Sequence, residues 1–234
     1  MNNHTIDASR QFYARLAGFM FLFYIVTGIT CMILFSHATG GDGITAKLTS
    51  IIENATTVRL TIVLDLLAFV DAVVLAVALY AITRDQDHDL AVMALCCRVS
   101  EGVIVAISTV TTLGLLSIAM ATTGADARDT DAVHTIAAFL FKVDGWTTII
   151  SGTCFAVGST IYSYLFLRAR SIPVPLAWLG IIASILLVPA LPLQLAGFIG
   201  GPVTTYIWIP ILVFEMTLGL WLLIKGVAVQ PAAT

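Results

Sequence analysis

Charge is what this sequence has least of. Asp, Glu, Lys and Arg together make up 11% of its residues, against roughly 25% in a soluble domain. A water-facing surface cannot be assembled from so few charged side chains, so most of the surface is expected to face lipid. Basic tracts are absent as well, and the formal net charge is only -3, which argues against nucleic acid as a partner. Cysteine is scarce. Cys31, Cys96, Cys97 and Cys154 each lie inside an apolar run, without C-x-x-C or a His/Cys cluster of zinc-site spacing. They read as small buried hydrophobes rather than a disulfide framework or metal ligands. Catalytic signatures are missing too: no G-x-S-x-G, no H-E-x-x-H and no phosphate-binding loop. The serines have no histidine partner at depth, and no cofactor is called for.

What is abundant is apolar length. Hydrophobic residues account for 59% of the chain and mean hydropathy is +1.00. Six long apolar runs are legible, at 16–35, 60–82, 90–121, 146–167, 176–198 and 204–224. Each is long enough, at about 1.5 Å per residue, to cross a hydrocarbon core about 30 Å thick. They are expected to be helices, because lipid offers no partner to open backbone groups. The first run, about 20 residues, is a full span rather than a signal core of roughly 7–15 residues. The third is long enough to tilt or to continue past the membrane. The expected architecture is therefore all-α, an integral membrane bundle of about six transmembrane helices in one domain over residues 1–234.

The connections 36–59 and 122–142 are long, while 83–89, 168–175 and the Gly-rich 199–203 are short. The stretch Ala132–Phe141 is too apolar for a free loop. It is expected to lie on the interface before Gly145 turns the fourth span inward. Pro189 and Pro192 should bend or interrupt the fifth span, and Pro210 should free the carbonyl of Tyr206 in the sixth. Gly145, Gly152, Ala156, Ser159 and Ser163 form a small-residue stripe suited to close helix packing. With the N-terminus inside, Arg10, Arg15, Arg84, Arg168, Arg170 and Lys225 fall on the inner side, and Lys47, Arg59, Arg128 and Lys142 on the outer. That excess favours both termini in the cytoplasm.

Against this background a few ionisable residues stand out. Asp65, Asp71, Arg98, Glu101 and Glu215 lie within the spans, with Asp144 nearer a boundary. Such groups cost at least about 2.5–3.5 kcal/mol each at the centre of a span unless paired or solvated. Counting along the helices puts Asp71 about 18 Å from the inner end of its span, Glu101 about 16 Å, and Glu215 about 15 Å from Lys225. Arg98 sits one turn below Glu101, on the same face at i,i+3. The short 83–89 turn makes the second and third spans antiparallel neighbours, within reach of an Asp71–Arg98 contact. Asp71, Arg98, Glu101 and Glu215 thus form a candidate midplane polar layer. Three carboxyls and one guanidinium cannot all ionise cheaply there. Arg98 is expected to be the fixed positive charge, and Glu101 or Glu215 the group that changes protonation. Buried ion pairs also serve simply to fix helix register. A second polar group, Asp65, Asp144, His37, His134, Arg59 and Lys142, lies nearer the outer end. Its residue types suit a divalent cation, but its spacing fits no metal pattern and no metal site is assigned.

The order of short motifs resembles a known family. Arg15-Leu-Ala-Gly18 opens the first span, and Asp65-Leu-Leu begins a stretch closing on Leu79-Tyr80. Arg98-Val-Ser-Glu101 lies in the third span, Tyr164-Leu-Phe-Leu-Arg168 ends the fourth, and Glu215 precedes Leu220-Trp-Leu-Leu223. Together, from about Arg10 to Gly226, these are similar to the bacterial family called domain of unknown function 4386. The stretch Lys142–Trp146 departs from that pattern. The resemblance implies a small multi-pass protein of the bacterial cytoplasmic membrane and transfers no catalytic or binding residues. The residues themselves favour a small transporter or sensor, with the lipid bilayer and a small polar molecule or a proton as partners. A non-transporting scaffold held together by the same charges is the competing class, and an intramembrane enzyme a third.

Overall fold

The structure, a computed structural model, describes residues 3–121 and 130–228. Among them are eight helices and no strand: α1 (Asn3–Ala38), α2 (Gly43–Glu53), α3 (Ala55–Thr83), α4 (His88–Ala121), α5 (Thr130–Ala169), α6 (Val174–Leu195), α7 (Val203–Tyr206) and α8 (Ile209–Ile224). Six segments are long and apolar enough to cross a membrane: Ala8–Ala38, Ala55–Thr83, His88–Ala121, Asp131–Ala169, Val174–Leu195 and Val203–Ile224. Large apolar side chains such as Met32, Val110 and Ile182 are more than half exposed. In water such a surface would be an aggregation hazard, whereas in lipid it needs no cover. The chain is an all-α multi-pass membrane protein.

Two compact units can be distinguished. The first comprises 1–25, 70–102 and 149–234. Its core joins Ala17 and Phe21 of α1, Leu75 and Leu79 of α3, Phe155 and Phe166 of α5, Leu187 of α6, and Phe214 and Leu218 of α8. Small residues let the helices close up here. A β-carbon on Gly18 would lie 2.4 Å from the backbone nitrogen of Leu223 and 2.6 Å from the carbonyl oxygen of Gly219, so α1 and α8 meet backbone to backbone. The second unit comprises 26–69 and 103–148. There Leu48 and Ile51 of α2 pack with Ala38, Val58, Leu115 and Ala137.

Three expectations are corrected. The apolar stretch 132–141 is not a separate interfacial segment before a turn. It is the first part of one helix that runs through Gly145 to Ala169. Gly145 permits a turn but nothing forces one, and Ala137 is held in the core of the second unit by the helical path. The connection 36–59 is mostly helix rather than loop, since α2 fills it and α3 begins at Ala55. Finally, the interruption expected at Pro189 and Pro192 does not occur, since α6 continues through both prolines and ends at Leu195. Leu187 and Leu191 bracket Pro189 and are both buried. Interrupting the helix would withdraw one of them, and that burial offsets the lost backbone hydrogen bonds. The break falls instead at Pro210, which occupies the first turn of α8, where a missing N–H costs nothing. Of the expected connection 122–142, residues 122–129, with Arg128, lie outside the described residues.

Candidate functional site

Helix α4 sets the centre of the site. The i,i+3 spacing puts Arg98 and Glu101 on one face, and Arg98 Nη1 donates to Glu101 Oε2 at 2.9 Å. The second arm of the guanidinium reaches α8, where Nη2 donates to Glu215 Oε1 at 3.1 Å. One cation therefore joins two helices whose partners are 117 residues apart in the chain. The Arg98 side chain is 2% exposed, that of Glu101 4% and that of Glu215 9%. Removing three charges from solvent is expensive, and only good geometry with further hydrogen bonds recovers it.

Those further contacts come from α1 and α5. The Tyr24 hydroxyl donates to the other Glu101 oxygen, Oε1, at 2.7 Å. Ser151 Oγ donates to the backbone carbonyl of Glu101 at 3.2 Å, tying α5 to α4 beside the ion pair. Aromatic rings enclose the guanidinium: its carbon lies 4.8 Å from the ring centre of Phe155, 5.5 Å from Tyr24 and 5.6 Å from Phe21. Negative ring faces attract a desolvated cation without consuming its hydrogen-bond donors. Behind Phe155, the Trp208 indole stacks at 6.3 Å. It occupies the space over Gly152, where an added β-carbon would lie 2.8 Å from Trp208 Cη2.

Asp71 is the exception. It is 3% exposed, and neither of its carboxyl oxygens has a hydrogen-bond partner among the described residues. The Asp71–Arg98 contact expected from the short 83–89 turn is not made among the described residues, where Arg98 pairs with Glu101 and Glu215 instead. Of the four residues singled out from the sequence, three are joined by direct bonds and the fourth is enclosed without one.

The small stripe on α5 packs as expected at Gly152, Ala156, Ser159 and Ser163, all buried. Gly145 does not take part, because a β-carbon there would meet nothing within 4 Å. In the second unit, Cys31 Sγ donates to Asp65 Oδ1 at 3.1 Å, and Thr45 Oγ1 lies 3.5 Å from His134 Nε2. No group of three or more His, Cys, Asp or Glu side chains suited to a metal ion occurs among the described residues. Tyr24, Ser151 and the aromatic enclosure had not been foreseen. Tyr24 was within reach of the depth argument: it lies nine residues after Arg15, about 14 Å along the helix, in the same layer as Glu101.

Fold and site together define a class: multi-pass helical membrane proteins with a buried arginine–carboxylate cluster. More narrowly, the chain belongs to the family described as Domain of unknown function (DUF4386), whose model matches residues 16–226. That match contains all four polar-layer residues. No curated protein and no solved structure gives a match.

Proposed function

We propose that this chain is a small membrane transport or sensing protein of the cell membrane, with both termini in the cytoplasm. Asp71, Arg98, Glu101 and Glu215 form its polar site, near the bilayer midplane by helix counting. Asp71 is the group that exchanges a proton or a small cation. The observation that carries this reading is the isolation of Asp71. It is 3% exposed, with both oxygens unpartnered, beside a guanidinium already bonded to two other carboxylates. The pairing of both glutamates moves the exchange role away from them. Ionised and alone, Asp71 would be an unmatched charge in a low-dielectric interior, so the group is stable there only when protonated or paired with a bound cation.

A second reading has its own support. Arg98, Glu101 and Glu215 are paired and enclosed, and the cavity beside Arg98 measures about 10 Å³. Such closure suits a scaffold or regulatory partner, in which buried ion pairs fix register.

Infrared spectroscopy of the full chain in lipid nanodiscs separates the two. A protonated carboxyl stretch that varies with pH and disappears in Asp71→Asn, together with a pH-dependent change in the fluorescence of Trp208, is the result expected of the transporter or sensor. If the band survives in Asp71→Asn, Asp71 is not the exchanging group. If Trp208 does not respond across the titration, the scaffold reading takes its place. Trp208→Phe identifies that residue's share of the emission.

A further inference from the structure

Beside the ion-pair cluster lies a second feature that the Asp71 reading does not use. The cavity of about 10 Å³ is lined by Arg98 of α4, Ser159, Tyr162, Ser163 and Phe166 of α5, and apolar side chains from α1, α3 and α8. Ser163 is fully buried, and its Oγ has no hydrogen-bond partner among the described residues. Gly180 of α6 makes the room for that hydroxyl. A β-carbon there would lie 2.4 Å from Ser163 Oγ and 2.4 Å from Phe214 Cζ.

We propose that this cavity is a binding site for one structural water molecule, held between the Arg98 guanidinium and the Ser163 hydroxyl. Size fits, because a space of roughly 10–15 Å³ holds a single water. The chemistry fits as well. Arg98 spends one N–H on each glutamate, and a guanidinium carries five. Ser163 both donates and accepts. The Tyr162 hydroxyl donates to the Ala76 carbonyl at 3.3 Å, so its oxygen is available as an acceptor. A water in this space accepts from Arg98 and donates to Ser163 and Tyr162, within the two to four partners that buried waters make. An anion is disfavoured, since two carboxylates at 2.9 and 3.1 Å already meet the charge of Arg98. An apolar ligand would leave Ser163 unsatisfied. The cluster is thereby solvated from the α5 side through one fixed molecule rather than through an aqueous channel.

Radiolytic hydroxyl-radical labelling tests this, because radicals formed from bound water modify side chains that bulk solvent cannot reach. The full-length protein in nanodiscs is irradiated after equilibration in ¹⁸O water, and modified residues are read by mass spectrometry. Tyr162 and Phe166 line the cavity, whereas Phe155 is buried but does not. The expected result is labelling of Tyr162 and Phe166 at about ten times the rate of Phe155, falling to the Phe155 level in Ser163→Val, which replaces the hydroxyl with methyls. Wild-type labelling of Tyr162 and Phe166 no faster than that of Phe155 overturns the proposal without any variant. Labelling that persists unchanged in a folded Ser163→Val protein overturns it as well.

Discussion

Replacing Arg98 tests whether the cluster is coupled as its geometry requires. Arg98→Met keeps most of the side-chain volume against Phe155, Tyr24 and Phe21, so the change is mainly one of charge. Two hydrogen bonds disappear, at 2.9 Å to Glu101 and 3.1 Å to Glu215. Bonds to charged groups contribute about 1.5–3 kcal/mol each, and breaking a buried ion pair by removing one partner costs about 3–5 kcal/mol. The two routes agree on a loss of about 3–5 kcal/mol. At about 2–4 °C per kcal/mol for a chain of this size, thermal melting in detergent should fall by about 6–20 °C. The two acids are not equivalent. Glu101 keeps the Tyr24 hydroxyl as a donor, whereas Glu215 is left with no hydrogen bond among the described residues. Arg98→Met with Glu215→Gln should therefore recover more of the loss than Arg98→Met with Glu101→Gln. Contacting residues in a double-mutant cycle typically show about 0.5–3 kcal/mol of coupling. If both double mutants equal the sums of their singles, Arg98 is not paired as described. It would then snorkel along α4 toward the His88 end, and the site would lose its centre.

Tyr24→Phe removes one donor to a charged acceptor, so melting should show a loss of about 1.5–3 kcal/mol, and an unchanged melting temperature would deny the bond to Glu101. Gly18→Ala places a methyl 2.4 Å from the backbone of α8 and should cost about 1–3 kcal/mol by overpacking. Gly145→Ala, with open space around it, should be neutral or stabilise by up to about 1 kcal/mol; equal effects at the two glycines would refute the close α1–α8 approach. In a cysteine-free background, a cysteine within Gly40–Gly43 should react with an impermeant thiol reagent outside intact cells and one at Pro231 should not. The reverse pattern would invert the proposed orientation.

Depth along the chain was legible in the sequence; direction around each helix mostly was not. Hydropathy and length marked all six spans, and the i,i+3 spacing of Arg98 and Glu101 made their pairing readable from four consecutive residues. Counting from the inner ends brought Glu215 into the same layer, because a helix converts residue number into height at a nearly constant rise. Which side of the helix a residue faces depends on its neighbours. Asp71 therefore shared the layer without any sign that its oxygens would meet no donor. The aromatic enclosure was hidden for a similar reason, since Phe21 and Phe155 are only two of 12 phenylalanines. Glycine and proline misled in a different way. Gly145 suggests a turn and Pro189 and Pro192 an interruption, yet each sits inside a continuous helix. Both residue types change what the backbone is permitted to do, and burial on either side decides what it does. Pro210 broke its span because it stands where a helix begins.

The charge count carries the functional argument further than any single contact. Arg98 contributes one positive charge, and Asp71, Glu101 and Glu215 together offer three carboxyls, all buried. Fully ionised, the site would hold a net charge of -2 where low dielectric strengthens every repulsion. A contact made only to join two helices needs one acid for its base, as Arg98 of α4 and Glu215 of α8 alone would supply. Glu101, on α4 itself, brings one negative charge in excess, and Asp71 adds another with no bond in return. In the proposed reading, that excess is neutralised by protons or cations bound at the site, whose occupancy follows the pH or ion content of the compartment that reaches it. That dependence is the property a transporter or sensor needs and a passive scaffold does not, and Asp71 is where it should first be sought.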